Sequence, residues 1–284
     1  MDAVSWIVIA VIVITLVMLL HRRFSPTMIL LSSNIIIFAI MFVAFQNSYN
    51  FTLEELGFKP AMSYRGEEPW TLITSLFIHA DISHLMFNML FLMLIGFPLE
   101  SMIGKRRFVA VFLVGGLIGT AAFEVAASDP LLLLVGCSGS ISALLGAMIV
   151  LCPREKVSFF VGPFITNRFT IWVPAVLWIV MQSVLLAFDD SPVAYVAHIG
   201  GFAGGIATAW LVRPKYYYEY GGHKMYDIEP LKKLCVTKEL KEAYECAEKA
   251  KDIRTKMMWI EVILNEIKNP SQDSYVEIDR RRYG

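Results

Sequence analysis

The sequence predicts an all-α polytopic membrane protein ending in a soluble helical tail, and three observations carry that reading. Of 284 residues 56% are hydrophobic and 18% charged, too little charge to cover a soluble protein of this size. Seven apolar segments meet or approach the ~20 residues that a helix needs to cross a hydrocarbon core. Charge is sparse between residues 70 and 212 and dense over 214–284. A net charge of zero argues against nucleic acid as a partner.

The first segment, 3–20, is followed by Arg22 and Arg23 and by no small-residue cleavage site, so it reads as a retained anchor rather than a signal peptide. Segments 27–45 and 82–99 come next, the latter opening with polar residues. Segment 108–127 follows Lys105, Arg106 and Arg107, and the short segment 137–151 precedes Arg154, Lys156 and Arg168. Segment 171–188 is separated from 193–212 by "DDSP", and Arg213 and Lys215 end the series. Basic residues thus mark alternate connections, while 128–136 and 189–192 have none and 46–69 sets Lys59 and Arg65 against four glutamates. Positive charge stays in the cytosol, so the predicted location is the cell membrane with the N-terminus outside and the C-terminus cytosolic. Cys137, Cys152, Cys235 and Cys246 have no plausible extracellular partner, and no disulfide is expected. In the tail, Ile253, Met257, Ile260, Leu264 and Ile267 recur at helical spacing and predict a helical pair; its partner is not legible.

Polar side chains inside a membrane face a bundle interior or a wet cavity. Three groups stand out: His79, His84 and Asn88 in "HADISHLMFN", Ser138 in "GCSG", and His198 in "AHIGGFAGG". Ser138 lies 15 residues before Pro153 and His198 lies 15 before Arg213, while Asn88 and His84 lie 12 and 16 before Glu100. At a rise of about 1.5 Å per residue, all four sit about 18–24 Å from the cytosolic boundary. A hydroxyl, two imidazoles and an amide on three helices therefore share one layer. Gly139, Ala143 and Gly146 on one segment, and Gly201, Gly205 and Ala209 on another, form small-residue faces that let helices approach. Packing them together brings the Ser138 hydroxyl to the His198 imidazole, the pairing an activated serine requires. With Glu124 the only acid well inside an apolar segment, and nothing marking it as a partner of His198, a dyad is the economical reading. Ser138 near a helix start, with His84 and Asn88, supplies donors for a developing oxyanion. His79, Asp81, Ser83 and Ser140 are candidates to line a water-filled vestibule.

The order H-x4-H-x3-N (His79, His84, Asn88), G-x-S-G (Gly136 to Gly139) and A-H-x-x-G-x-x-x-G (Ala197, His198, Gly201, Gly205) resembles the rhomboid intramembrane serine proteases, over about residues 27–212. The resemblance implies a six-helix core at 25–213, an added N-terminal helix at 1–24 and a cytosolic tail at 214–284. It implies Ser138 as nucleophile, His198 as general base, and His84, Asn88 and the Ser138 amide as oxyanion donors. Gly136, Gly139, Gly201, Gly205, His79 and Glu100 take structural roles, and 171–188, with Trp172, Trp178 and Met181, becomes a candidate entry gate. Two positions depart from the family pattern. Trp70 is followed by Thr71 where relatives often have arginine, which removes that anchor from the loop. Ser142 stands where relatives often have an aromatic ring on the histidine, which leaves helix packing to hold His198.

The expected function is therefore an intramembrane serine endopeptidase acting in the lipid bilayer on transmembrane segments of other proteins. No cofactor is expected, and three histidines without a cysteine or acid at ligand spacing make a poor metal site. The alternative is a rhomboid-like protein that binds membrane clients without cutting them. A transporter would want inverted repeats or charges near the midplane, and neither is seen. Each polar residue also has a plainer reading: Ser138 bonded back to a helix carbonyl, His84 and Asn88 as an interhelical pair, Glu124 as an interface residue.

Overall fold

The computed structural model describes residues 1–21, 24–44, 49–153, 155–161, 164–188, 193–213, 218–220, 223–225, 231, 234–235, 237–250 and 253–268. Arg22, Arg23, Arg154, Lys215 and residues 189–192, which enter the orientation argument, lie outside the described residues. By packing, the chain falls into two units: Met1–Glu100 with Lys105–Arg213, and Ser101–Gly104 with Pro214–Gly284.

The seven apolar segments are helices. They are α1 (Ala3–Leu20), α2 (Pro26–Ala39, continued by a π-helical turn at Ile40–Ala44), α6 (Ile82–Ile103), α7 (Lys105–Ala126), α8 (Ser138–Leu151), α9 (Trp172–Phe188) and α10 (Val193–Val212). Among the described residues, α1, α6, α7 and the Tyr195–Val212 part of α10 are long and apolar enough to cross a membrane, and α2, α8 and α9 are shorter apolar helices. Large apolar side chains point outward, among them Ile14 and Leu20 on α1, Leu177 and Val180 on α9 and Leu211 on α10. Such a surface suits hydrocarbon and not water. The chain is an all-α polytopic membrane protein.

Helices α7, α8 and α10 form the most tightly packed part of the bundle. Gly201 lies against the Gly139 carbonyl, Gly205 against the Ala143 carbonyl, Gly146 against the Phe202 carbonyl and Gly115 against the Ala143 methyl. A Cβ at any of these would overlap its neighbour, so backbones meet directly, as small residues permit in lipid. Glycine here answers a steric need on both sides of the α8–α10 contact.

Polar ties fix the remaining helices. In α1, Asp2 accepts from the Ser5 amide at 2.7 Å and caps the helix start. Ser5 Oγ donates to Glu55 at 2.6 Å, and Thr15 Oγ1 lies 2.7 Å from Ser33 Oγ of α2. Helix α1 is thus bonded to its neighbours as well as packed on them. At the start of α2, the buried Glu100 carboxylate accepts from Ser25 Oγ at 2.7 Å and from the Thr27 amide at 2.9 Å. An anion at a helix N-terminus satisfies orphan donors and the dipole together.

Between α2 and α6 the loop carries three short helices, α3 (Tyr49–Leu56), α4 (Pro60–Tyr64) and α5 (Thr71–Thr74). It is laced to the α7–α8 connection by Phe58 and Leu134, which exchange backbone bonds of 3.0 and 2.9 Å, and by the Ala61 amide bonded to the Pro130 carbonyl at 2.8 Å. Phe58, Phe123 and Ala197 pack beneath that bridge. Trp70 Nε1 donates to the Glu55 carbonyl at 3.3 Å, and Thr71 Oγ1 to the Glu68 carbonyl at 2.7 Å. Backbone lacing thus holds the loop where an arginine is missing.

Sequence reading left one element out. Between α8 and α9 an antiparallel hairpin pairs β1 (Lys156–Val161) with β2 (Phe164–Thr170), with a register shift between Phe159 and Phe160. Its alternation around Gly162-Pro163, rich in Val, Phe, Ile and Thr, was the available signal. In the second unit, β3 (Tyr218–Tyr220) pairs with β4 (His223–Met225), and α11 (Lys238–Lys249) packs on α12 (Ile253–Lys268). On α12 Ile260 is fully buried and Met257, Leu264 and Ile267 are half-buried, along the expected stripe, and Ile263 beside them is fully buried as well.

The glycine contacts set up a graded test. Gly205→Ala drives a methyl into the Ala143 carbonyl, and a loss of about 1–3 kcal/mol is expected for such overpacking. Gly139→Ala meets only the Ala197 carbonyl at 3.5 Å and is expected to be tolerated. Thermal unfolding in detergent should separate the two; equal melting temperatures would refute backbone-to-backbone packing at Gly205.

Candidate active site

Helix α8 begins at Ser138, with Cys137 in the N-cap position. Gly136 before it has φ of +103°, a left-handed conformation that glycine adopts without strain. The Gly136 amide bonds to the Ser75 carbonyl at 2.8 Å, which hangs the turn on the outer loop. A Cβ at Gly136 would lie 2.7 Å from the His84 ring, so the missing side chain is what admits that ring. With Ser138 opening a helix, the first backbone N–H groups of α8 have no intrahelical acceptor.

Helix α10 brings His198 to this point. His198 Nε2 lies 2.7 Å from Ser138 Oγ. His198 Nδ1 lies 2.7 Å from Oε1 of Gln182 on α9. The Trp178 ring sits 5.6 Å from the imidazole, tilted by 42°, and Trp178 Nε1 donates to Ser142 Oγ at 3.1 Å. Helix packing alone was expected to hold His198; α9 instead supplies an acceptor and a ring. Ser142, too small to stack, carries the bond that seats the indole. Gln182 and Trp178 are the residues that sequence reasoning missed as site components. The signal available was an amide four residues after a tryptophan within an apolar segment.

Helix α6 contributes the other wall. Asn88 is buried, and its Nδ2 donates to the His84 carbonyl at 3.1 Å, leaving a second amide hydrogen for another acceptor. Asn88, Phe91, Ser138, Ser142, Pro174 and Trp178 line one cleft between α6, α8 and α9. His79 packs edge-on to His84 at 5.1 Å, and its Nε2 lies 3.8 Å from Cys137 Sγ. Burial, with a smaller contribution from His84, pushes the loop imidazole of His79 down to about 3, so it stays neutral. Tyr49 donates to the His79 carbonyl at 2.6 Å and secures that stretch.

The vestibule residues divide. Asp81 and Ser83 are exposed at the start of α6, while His79 and Ser140 are buried. Ser140 is two residues beyond Ser138, so it turns to the opposite side of α8 and faces Gly116 of α7. Among the described residues no group of three or more His, Cys, Asp or Glu is arranged to hold a metal ion.

This arrangement belongs to a class of helical membrane proteins that hold a serine and a histidine in contact within the bundle. The Rhomboid domain model matches residues 66–215, and the chain belongs to the rhomboid family. It is 32% identical over 142 residues to Rhomboid-related protein 2 of Mus musculus, covering 49% of this chain and 46% of that one. It is 29% identical over 190 residues to Rhomboid protease GluP of Bacillus subtilis (66% and 35%) and 31% identical over 145 to Putative rhomboid protease YdcA of the same organism (51% and 67%). The match to the mouse protein spans about half of that protein's length.

Two outcomes follow from the α6 and α8 starts. Gly136→Ala is expected to cost about 1–2 kcal/mol of backbone strain and to displace His84; unchanged thermal stability would contradict it. Asp81 accepts from Ser83 Oγ at 2.5 Å and from the His84 amide at 2.8 Å, and these bonds, the hydroxyl first, hold its carboxyl below the usual range. A folded value below the unfolded one means stabilisation that is full above the ordinary carboxylate pKa, about 3.9, and lost as pH falls through the depressed folded value. Asp81→Asn keeps the cap but cannot titrate. Its melting temperature should lie below wild type at pH 7, where the charged acceptor is missing, and the gap should close on acidification below about pH 4; parallel pH curves would refute this role.

Proposed function

We propose that the protein is an intramembrane serine endopeptidase that hydrolyses peptide bonds in or near transmembrane segments of other membrane proteins. The observation that carries the reading is the 2.7 Å contact between Ser138 Oγ and His198 Nε2 beside the start of α8. Family membership and protease-named relatives support it.

In this reading Ser138 Oγ attacks the scissile carbonyl carbon while His198 Nε2 takes the hydroxyl proton. The carbonyl oxygen becomes an oxyanion, stabilised by the Ser138 N–H, the Asn88 amide and His84. As the tetrahedral intermediate collapses, the C–N bond breaks and His198 passes its proton to the leaving amine, leaving an acyl-serine. Water then attacks the ester, His198 takes one of its protons, and collapse returns that proton to Ser138 as the acid product leaves. A substrate helix must first unwind, because its carbonyls are internally bonded. Segments with small or helix-weakening residues unwind at least cost. The N-terminus lies outside and the C-terminus in the cytosol, a reading supported by Lys105, Arg106, Arg107 and Arg213 at one set of helix ends.

Purified protein with a model transmembrane substrate in liposomes tests the reading. Ser138→Ala and His198→Ala are each expected to lose cleavage by at least about a thousandfold while keeping their melting temperatures. Equal cleavage in all three would reject the dyad. If wild type neither cleaves nor is labelled at Ser138 by a serine-directed phosphonate, the protein is a client-binding member instead. Replacing glycines near the cut site of a cleaved substrate by leucine should slow cleavage, since each glycine favours unwinding by about 1 kcal/mol; an unchanged rate would reject the unwinding step.

A further inference from the structure

We infer that Gln182 is the third member of the site: a positioning residue whose amide oxygen fixes the tautomer and the ring plane of His198. The inference rests on the proposed hydrolytic reading and deepens it. An amide oxygen only accepts, so a 2.7 Å contact from Gln182 Oε1 to Nδ1 requires Nδ1 to carry the proton. Nε2 then presents its lone pair to Ser138 Oγ, 2.7 Å away, as a base must. When Nε2 takes the serine proton, the Nδ1 hydrogen stays on the ring and its bond to Gln182 becomes charge-assisted.

The surroundings leave this task to Gln182. Among the described residues no carboxylate is hydrogen bonded to His198, and its two ring nitrogens meet Ser138 and Gln182. Gln182 is itself 2% exposed, so its amide is buried against the ring it meets. Trp178, one helical turn earlier on α9, closes the ring's face and is seated by Ser142. One helix therefore supplies both the acceptor and the wall, at the two positions that share a face.

The test separates acceptance from packing. Gln182→Met keeps the shape and removes the oxygen; Gln182→Glu keeps an acceptor. The full chain in liposomes is assayed for kcat and KM on the cleaved substrate and for the rate of phosphonate labelling at Ser138. Expected in Gln182→Met is a fall in kcat and labelling rate of about tenfold to a hundredfold, the size of effect known for removing the outer hydrogen-bond partner of a metal-bound histidine. KM should stay within about twofold, because the lost interaction acts on the reacting groups and not on substrate binding. Gln182→Glu should retain most of the rate. Full activity in a folded Gln182→Met overturns the inference, as does a Gln182→Glu that is as slow as the methionine variant. Should Gln182→Met fail to fold, Gln182→Asn withdraws the oxygen by about one carbon–carbon bond, ~1.5 Å, and is judged by the same criteria. A wild type that neither cleaves nor labels removes the hydrolytic reading and this inference together; activity in wild type, absent in Ser138→Ala, leaves the glutamine variants to decide.

Discussion

The site depends on how closely α8 and α10 approach. Gly201 against the Gly139 carbonyl and Gly205 against the Ala143 carbonyl set two backbones at a separation that side chains would forbid. Ser138 lies one residue before Gly139, and His198 lies three before Gly201. Their 2.7 Å contact is thus a consequence of helix packing rather than of any loop. In lipid, where apolar side chains gain little by leaving hydrocarbon for one another, this close steric fit is the force available to hold helices together.

A second constraint works at the start of α8. The turn at Gly136 is held by the Ser75 carbonyl, and the connection before it by the Phe58–Leu134 bridge. The outer loop therefore determines where α8 starts and how far His84 reaches over it. Glu100 performs a comparable task at the start of α2, with a carboxylate spent on backbone and hydroxyl donors rather than on chemistry. Polar groups in this bundle are costly to bury, and Glu100, Ser142, Gln182 and His198 are each bonded to a neighbour.

The helices were legible because hydrocarbon imposes a length and a composition on anything that crosses it. The convergence of Ser138, His198, His84 and Asn88 was legible by counting residues to the helix ends, and the small-residue faces named the contact between α8 and α10. Gln182 was not legible by the same counting, since a neutral amide on an apolar helix carries no charge to draw attention and its partner lies on another helix. Ser142 shows the related limit: its hydroxyl has meaning only once Trp178 is known to reach it. The β1–β2 hairpin lay in a connection read for its charges, so its strand pattern went unread. Ser140 was assigned to the wrong side of α8 because proximity in sequence was taken over helical angle.

The indole of Trp178 has a consequence beyond holding a ring in place. It is in van der Waals range of the imidazole and hydrogen bonded inside the cleft, whereas Trp6, Trp172 and Trp210 point outward from the bundle. Indole emission shifts to longer wavelength as its surroundings become wetter and more polar. The protein therefore carries a native chromophore beside the Ser138–His198 pair, and the colour of that indole's fluorescence is a gauge of hydration in the cleft.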